Sequence, residues 1–91
     1  MANYIDLVLV KHQEDSEQYW LFQAPRWSHL AEGTEVLCDT KIGKTRGFVV
    51  ASCTVEPDSA ECEMMKLACG ATELRKILGT IKFKELDYSD D

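Results

Sequence analysis

The segment YIDLVLVK, residues 4–11, constrains the fold more than any other part of the chain. In an extended strand successive side chains point to opposite faces. Ile5, Leu7 and Leu9 therefore share one face, and Tyr4, Val8 and Val10 share the other. Both faces are apolar, so the strand needs cover on both sides. A chain of 91 residues is one domain, because two would each be too small to hold a core. The remaining elements of that single domain must supply the cover.

Those elements follow in order. The polar run HQEDSEQ makes a turn with Glu14, Asp15 and Glu17 at its tip. The aromatic run QYWLFQ, residues 18–23, completes an antiparallel hairpin. Residues 24–33 form a loop, since Pro25 has no N–H to give a ladder. Residues 35–40 alternate as a third strand, and residues 41–44 turn tightly with Gly43 free to take a positive φ. A fourth strand covers 45–55, with Gly47 at a bulge or bend. Pro57 and Asp58 announce a helix near 59–69, Asp58 capping it with Glu61 three residues on. Ala60, Met64, Leu67 and Ala68 recur at helical spacing as its core face, and Gly70 stops it. A short helical turn near 72–78 presents Leu74, Ile77 and Leu78 before Gly79 ends it. TIKFKEL, residues 80–86, alternates as a fifth strand, with Ile81 and Phe83 inward and Lys82 and Lys84 outward.

The pattern predicts a mostly β fold with some α (α+β). It is a small five-stranded antiparallel β-barrel, closed or half-open, with the helix plugging one end or covering one face. Residues 1–86 form the domain and 87–91 an acidic, disordered tail. The hydrophobic content of 45% is that of a globular protein. No apolar run approaches the roughly 20 residues that span a bilayer, so no membrane association is expected.

The four cysteines are Cys38, Cys53, Cys62 and Cys69. The opening MANYIDLVLVKHQ lacks a basic n-region and a small-residue cleavage site, which predicts a cytoplasmic chain with reduced thiols. No two cysteines lie two to four residues apart, and His12 and His29 are not close to them in sequence, so no metal is expected. Cys38 and Cys53 read as buried strand residues, and Cys62 and Cys69 as neighbours on one helix face.

Chemistry is sparse. There is no phosphate-cradling glycine loop and no nucleophile elbow. The carboxylates gather at a hairpin tip and a tail. The expectation is therefore a non-enzymatic module without cofactor; a small enzyme pairing a cysteine with a histidine is a third reading. Two features offer a binding surface. One is aromatic: Tyr19, Trp20, Phe22 and Trp27, with Arg26 beside the last. The other is the basic turn of Lys41, Lys44 and Arg46. The candidate binding residues are thus Trp20, Arg26, Trp27, Lys41, Lys44 and Arg46. Aromatic anchors fit a partner protein, so an adaptor is the first reading. The same aromatics with the basic turn fit weak binding of single-stranded nucleic acid, the second. A net charge of −6 opposes strong phosphate binding.

From residue 5 to 51 the chain runs strand, polar turn, YWLF, loop and EGTEVLCDTKIGKTRGFVV. With Gly33, Val36, Cys38, Thr40, Gly47, Val49 and Val50 at its fixed points, this order resembles two small barrel domains of bacteria. They are the N-terminal DNA-binding domain of the PriA helicase and the domain named for a yeast polymerase-suppressor protein. It is also similar to small barrel proteins encoded by prophages. The resemblance implies a barrel and a setting in bacterial or prophage nucleic-acid metabolism. No pocket residue is carried over from it.

Overall fold

The computed structural model describes residues 4–13, 15, 17–25, 28, 30–71 and 73–81. Among them lie five strands and one helix: β1 (Ile5–Lys11), β2 (Trp20–Pro25), β3 (Glu35–Thr40), β4 (Gly43–Val55), α1 (Ala60–Ala68) and β5 (Arg75–Thr80). The strands close into a barrel in the order β1-β2-β5-β3-β4. Four seams are antiparallel, and β2 runs parallel to β5 through Phe22↔Arg75 and Gln23↔Lys76. An all-antiparallel ring of five is impossible, because strand direction cannot alternate around an odd number. The parallel seam falls where the chain has crossed over through a helix, the connection that parallel pairing needs.

The long β4 serves two neighbours. Its first half pairs with β3 from Thr40↔Gly43 to Glu35↔Phe48, and its second half with β1 from Lys11↔Phe48 to Ile5↔Val55. Gly47 makes the changeover possible. A Cβ there would lie 2.3 Å from Val10 Cγ1 and 3.2 Å from the Lys11 carbonyl oxygen, so only glycine lets β1 come this close.

β1 is covered on both sides. Val8 and Val10 join Phe22, Ala24, Val36, Cys38, Val49 and Ile77 inside the barrel, with Leu30 from the loop after β2. Leu7 packs outside with Leu21, Val55 and Cys62, and Ile5, Leu9 and Met65 surround them. The helix is the outer cover. Asp6 is the buried charged residue of the described chain. Its carboxylate accepts from the Thr54 hydroxyl at 2.7 Å and from the Ser28 N–H at 3.3 Å, which is how a buried carboxylate keeps its hydrogen bonds.

Several expectations are corrected. Residues 75–80 are strand β5 and not part of a helical turn. Leu74, Ile77 and Leu78 fit a helical spacing, but Ile77 and Gly79 are buried at strand spacing, and the barrel needs this strand to close. The strand read at 80–86 meets the structure only at Thr80, the end of β5. Residues 82–86 and the tail 87–91 lie outside the described residues. The cap of α1 is Ser59, one residue after Asp58; its Oγ accepts from the Cys62 N–H at 3.2 Å and donates to the Glu56 carbonyl at 2.8 Å. Gly70, at φ 69°, ends the helix as read. Its N–H bonds the Leu67 carbonyl and the Ala71 N–H bonds the Lys66 carbonyl, the paired closure of a Schellman motif.

The helix turns a different face inward from the one its sequence suggests. Cys62 is its buried residue, with Met65 and Cys69 partly buried beside it. Met64 and Leu67 are 68% and 79% exposed. Cys53 is exposed as well, on the outer surface of β4 with its Sγ 3.6 Å from Met65 Sδ. Cys38 is fully buried, and burial pushes its thiol up to about 12.

Candidate functional site

The registers bring the ends of β1 and β3 and the starts of β2, β4 and β5 to one mouth of the barrel. The C-terminal end of α1 returns to the same mouth, because the helix connects β4 to β5 along the outside. An open groove of about 400 Å³ lies there. Leu21 and Phe22, both buried, form its apolar floor. Trp20 and His12 stand on one side, and Lys41 and Ile42 of the β3–β4 turn on another. The stretch Cys69–Ala71, with Glu73 and Arg75, completes the rim.

His12 is held by three neighbours. Its ring lies 6.0 Å from that of Trp20, tilted at 45°, and meets Phe22 edge-on at 5.9 Å. Its Nδ1 is 2.8 Å from the Arg46 carbonyl oxygen. A carbonyl only accepts, so the Nδ1–H donates. The backbone at Gly47 also admits this ring, since a Cβ there would come within 3.3 Å of Nδ1. One glycine therefore sets both the β4 crossing and the wall of the groove.

The β3–β4 turn is built to hold its tip out. The Thr40 hydroxyl donates to the Gly43 carbonyl at 2.6 Å and lies 3.2 Å from the Thr45 hydroxyl. Gly43 takes φ 110°, where no side chain would clash but where L-residues are strained. Ile42 consequently stands 91% exposed at the rim. An isoleucine left in water forgoes burial worth about 1.5–3 kcal/mol.

The candidate binding residues are partly gathered by this arrangement. Trp20, 45% exposed at the start of β2, and Lys41 both line the groove. Lys44 and Arg46 do not; they lie exposed two residues apart on the outer face of β4, while Thr45 between them lines the groove. Arg46 sits 3.5 Å from Glu35. Arg26 and Trp27 lie outside the described residues. Tyr19 is exposed at 41%, with the Lys11 ammonium 5.2 Å from its ring centre. His12, Ile42, Thr45 and Arg75 also line the groove, and none of them is among the candidate binding residues. Ile42 carried the readable signal, an apolar residue in a polar turn.

Arg75 is paired with Glu73 at 2.9 Å. Among the described residues Lys41 has no ion-pair partner, so it is the charge the groove can offer an incoming group. Cys69 shares the rim with His12, whereas Cys38 is inside the barrel and Cys53 and Cys62 lie at the helix seam. Among the described residues no group of three or more His, Cys, Asp or Glu side chains could hold a metal. None of their helices is long and apolar enough to cross a membrane. No family model, no curated protein and no solved structure matches the chain.

Proposed function

We propose that this protein is a non-enzymatic binding module whose barrel-mouth groove takes a short segment of a partner protein. The observation that carries the reading is that exposed Trp20 and Ile42 line one groove with buried Leu21 and Phe22, and Lys41 lines it too. Aromatic and aliphatic anchors around a concave site are where binding energy concentrates. The partner's segment brings an apolar side chain to the floor and an acidic one to Lys41. The four free thiols fit a reducing compartment such as the cytoplasm.

Trp20 and Lys41 on one concave surface also favour a second reading, a base stacked on the indole with its phosphate on the ammonium. Two facts place it second. Lys44 and Arg46 line no part of the groove, and the chain carries a net charge of −6. The setting implied by the resemblance, bacterial or prophage nucleic-acid metabolism, is compatible with either reading.

A photo-crosslinking benzoylphenylalanine at position 42 decides between them. The position is almost fully exposed, so the fold tolerates it. The proposal expects a discrete protein adduct in irradiated cells that disappears when Trp20→Ala is added. A nucleic-acid adduct with the same dependence selects the second reading. Adducts that ignore Trp20→Ala, or none at all, overturn the groove as the site.

A further inference from the structure

The outward face of α1 takes no part in the groove and is the second apolar feature of this surface. Ala60, Met64, Leu67 and Ala68 recur at positions that share one helix face, and all four are exposed. Met64 and Leu67 expose 68% and 79% of their surface. Inward packing is done by Cys62, Met65 and Cys69, so this stripe contributes nothing to the core. Methionine adapts its shape to an apolar partner better than a branched residue does. Nine helical residues give a stripe about 13 Å long, enough for two turns of another helix.

The charge around the stripe says what can cover it. From residue 56 to 70 there are four acids (Glu56, Asp58, Glu61 and Glu63) and one base (Lys66), a formal −3. Lys66 is itself held by Glu63 at 3.6 Å. A second copy packed helix to helix would set −3 against −3. The chain's own residues 82–91 carry Lys82 and Lys84 against Glu85, Asp87, Asp90 and Asp91, a formal −2. Both are repelled; a cationic partner is attracted.

We propose that the outer face of α1 docks a basic amphipathic helix of a partner protein, with Leu or Met side chains against Met64 and Leu67 and Lys or Arg against Glu61 and Glu63. The mode is helix against helix, read by apolar anchors three and four residues apart. It is independent of the groove, since none of the four stripe residues lines it.

The test uses the full chain with ¹³C-labelled Met and Leu methyl groups. It is titrated with a synthetic Leu/Lys amphipathic peptide of about 15 residues, long enough to be helical, and with its Leu/Glu counterpart. The proposal expects the Met64 and Leu67 methyl signals to move with the Leu/Lys peptide alone. It also expects Kd to rise at least tenfold in Met64→Gln/Leu67→Gln, and several-fold in Glu61→Gln/Glu63→Gln or on adding salt. Glutamine keeps helix propensity, so these variants retain the fold. Equal response to the Leu/Glu peptide overturns the proposal. So does movement confined to the groove methyls of Leu21, or the absence of any movement. Stripe signals that move with protein concentration alone also overturn it, and assign the face to a second copy.

Discussion

The barrel interior and the outer helix are both apolar in sequence, yet they are built to different standards. Inside, Val8, Val10, Val36, Cys38 and Ile77 show no exposed surface, and their neighbours on five strands enclose them. On α1, Cys62 is sealed to the same degree, but Met64 and Leu67 a turn away stand in water. The contrast teaches that stability is concentrated in the ring of strands, while the helix is a lid on one outer seam. The most exposed large apolar side chains of the described residues, Ile42, Leu67 and Met64, are correspondingly at the mouth and on the helix.

The largest effect should come from the interior. Ile77→Ala removes a fully buried side chain from the strand that closes the ring. It should cost about 2–5 kcal/mol of a total near 5–13 kcal/mol for this length. Urea denaturation of both proteins measures it. A loss below about 1 kcal/mol would mean that the interior is no better packed than the helix, and the comparison would fail.

Gly47→Ala probes the link between interior and groove. The added methyl meets Val10 Cγ1 at 2.3 Å and the Lys11 carbonyl oxygen at 3.2 Å, and one of those is backbone. Overpacking of this kind costs about 1–3 kcal/mol. The ring of His12, 3.3 Å from the same point, should move with it. Histidine and Trp20 signals shifted beyond the neighbours of residue 47 are the expected spectrum. A variant that loses stability while those signals stay put would separate the groove from the glycine.

How far the sequence carried the fold follows the same division. The strand at 35–40, the Gly70 helix stop and the two-sided cover of β1 were legible, because alternation and punctuation act locally. The segment 72–78 was not. Leu74, Ile77 and Leu78 satisfy a helical period, and seven residues are too few for period alone to tell strand from helix; only closure of the ring selects the strand. In α1 two apolar stripes compete, Ala60/Met64/Leu67/Ala68 and Cys62/Met65/Cys69. The second won, and cysteine's preference for burial was the available clue. Trp20 and Lys41 were named as binding residues and do meet in one groove, whereas its other members come from strand ends that only the barrel register brings together.

Alkaline pH offers a finer probe of the interior. Burial holds the Cys38 thiol at about 12, against 9.0 for the free group. Between those values the unfolded chain has lost this proton and the folded one keeps it, so stability falls as pH rises. The contribution is intact below pH 9 and is exhausted by about 12, with a slope approaching 1.4 kcal/mol per pH unit. Cys38→Ala should flatten that part of the curve relative to the parent protein. An unchanged alkaline slope would show that Cys38 is reached by solvent, and would weaken the claim that the interior is sealed.

The smallest effect is expected where the sequence pointed most strongly to a core. Met64 and Leu67 are apolar, helical and correctly spaced, and a reading from periodicity alone assigns them burial worth about 1.5–3 kcal/mol each. Their exposure of 68% and 79% assigns them almost none. Met64→Gln and Leu67→Gln should therefore each change stability by less than about 0.5 kcal/mol, the usual range for surface positions. Glutamine's helix propensity is close to theirs, so the measurement isolates burial. Deleting the region 58–78 cannot make this distinction, because it removes the first residues of β5 along with the helix. Thermal melts of the two single variants and their double make it directly. A joint loss of more than about 2 kcal/mol would mean that another part of the chain covers the stripe, and would erase the difference between helix and barrel. No loss leaves a surface that is apolar, acidic at its margins and dispensable for folding, and selection for solubility alone gives no reason to keep two such side chains there.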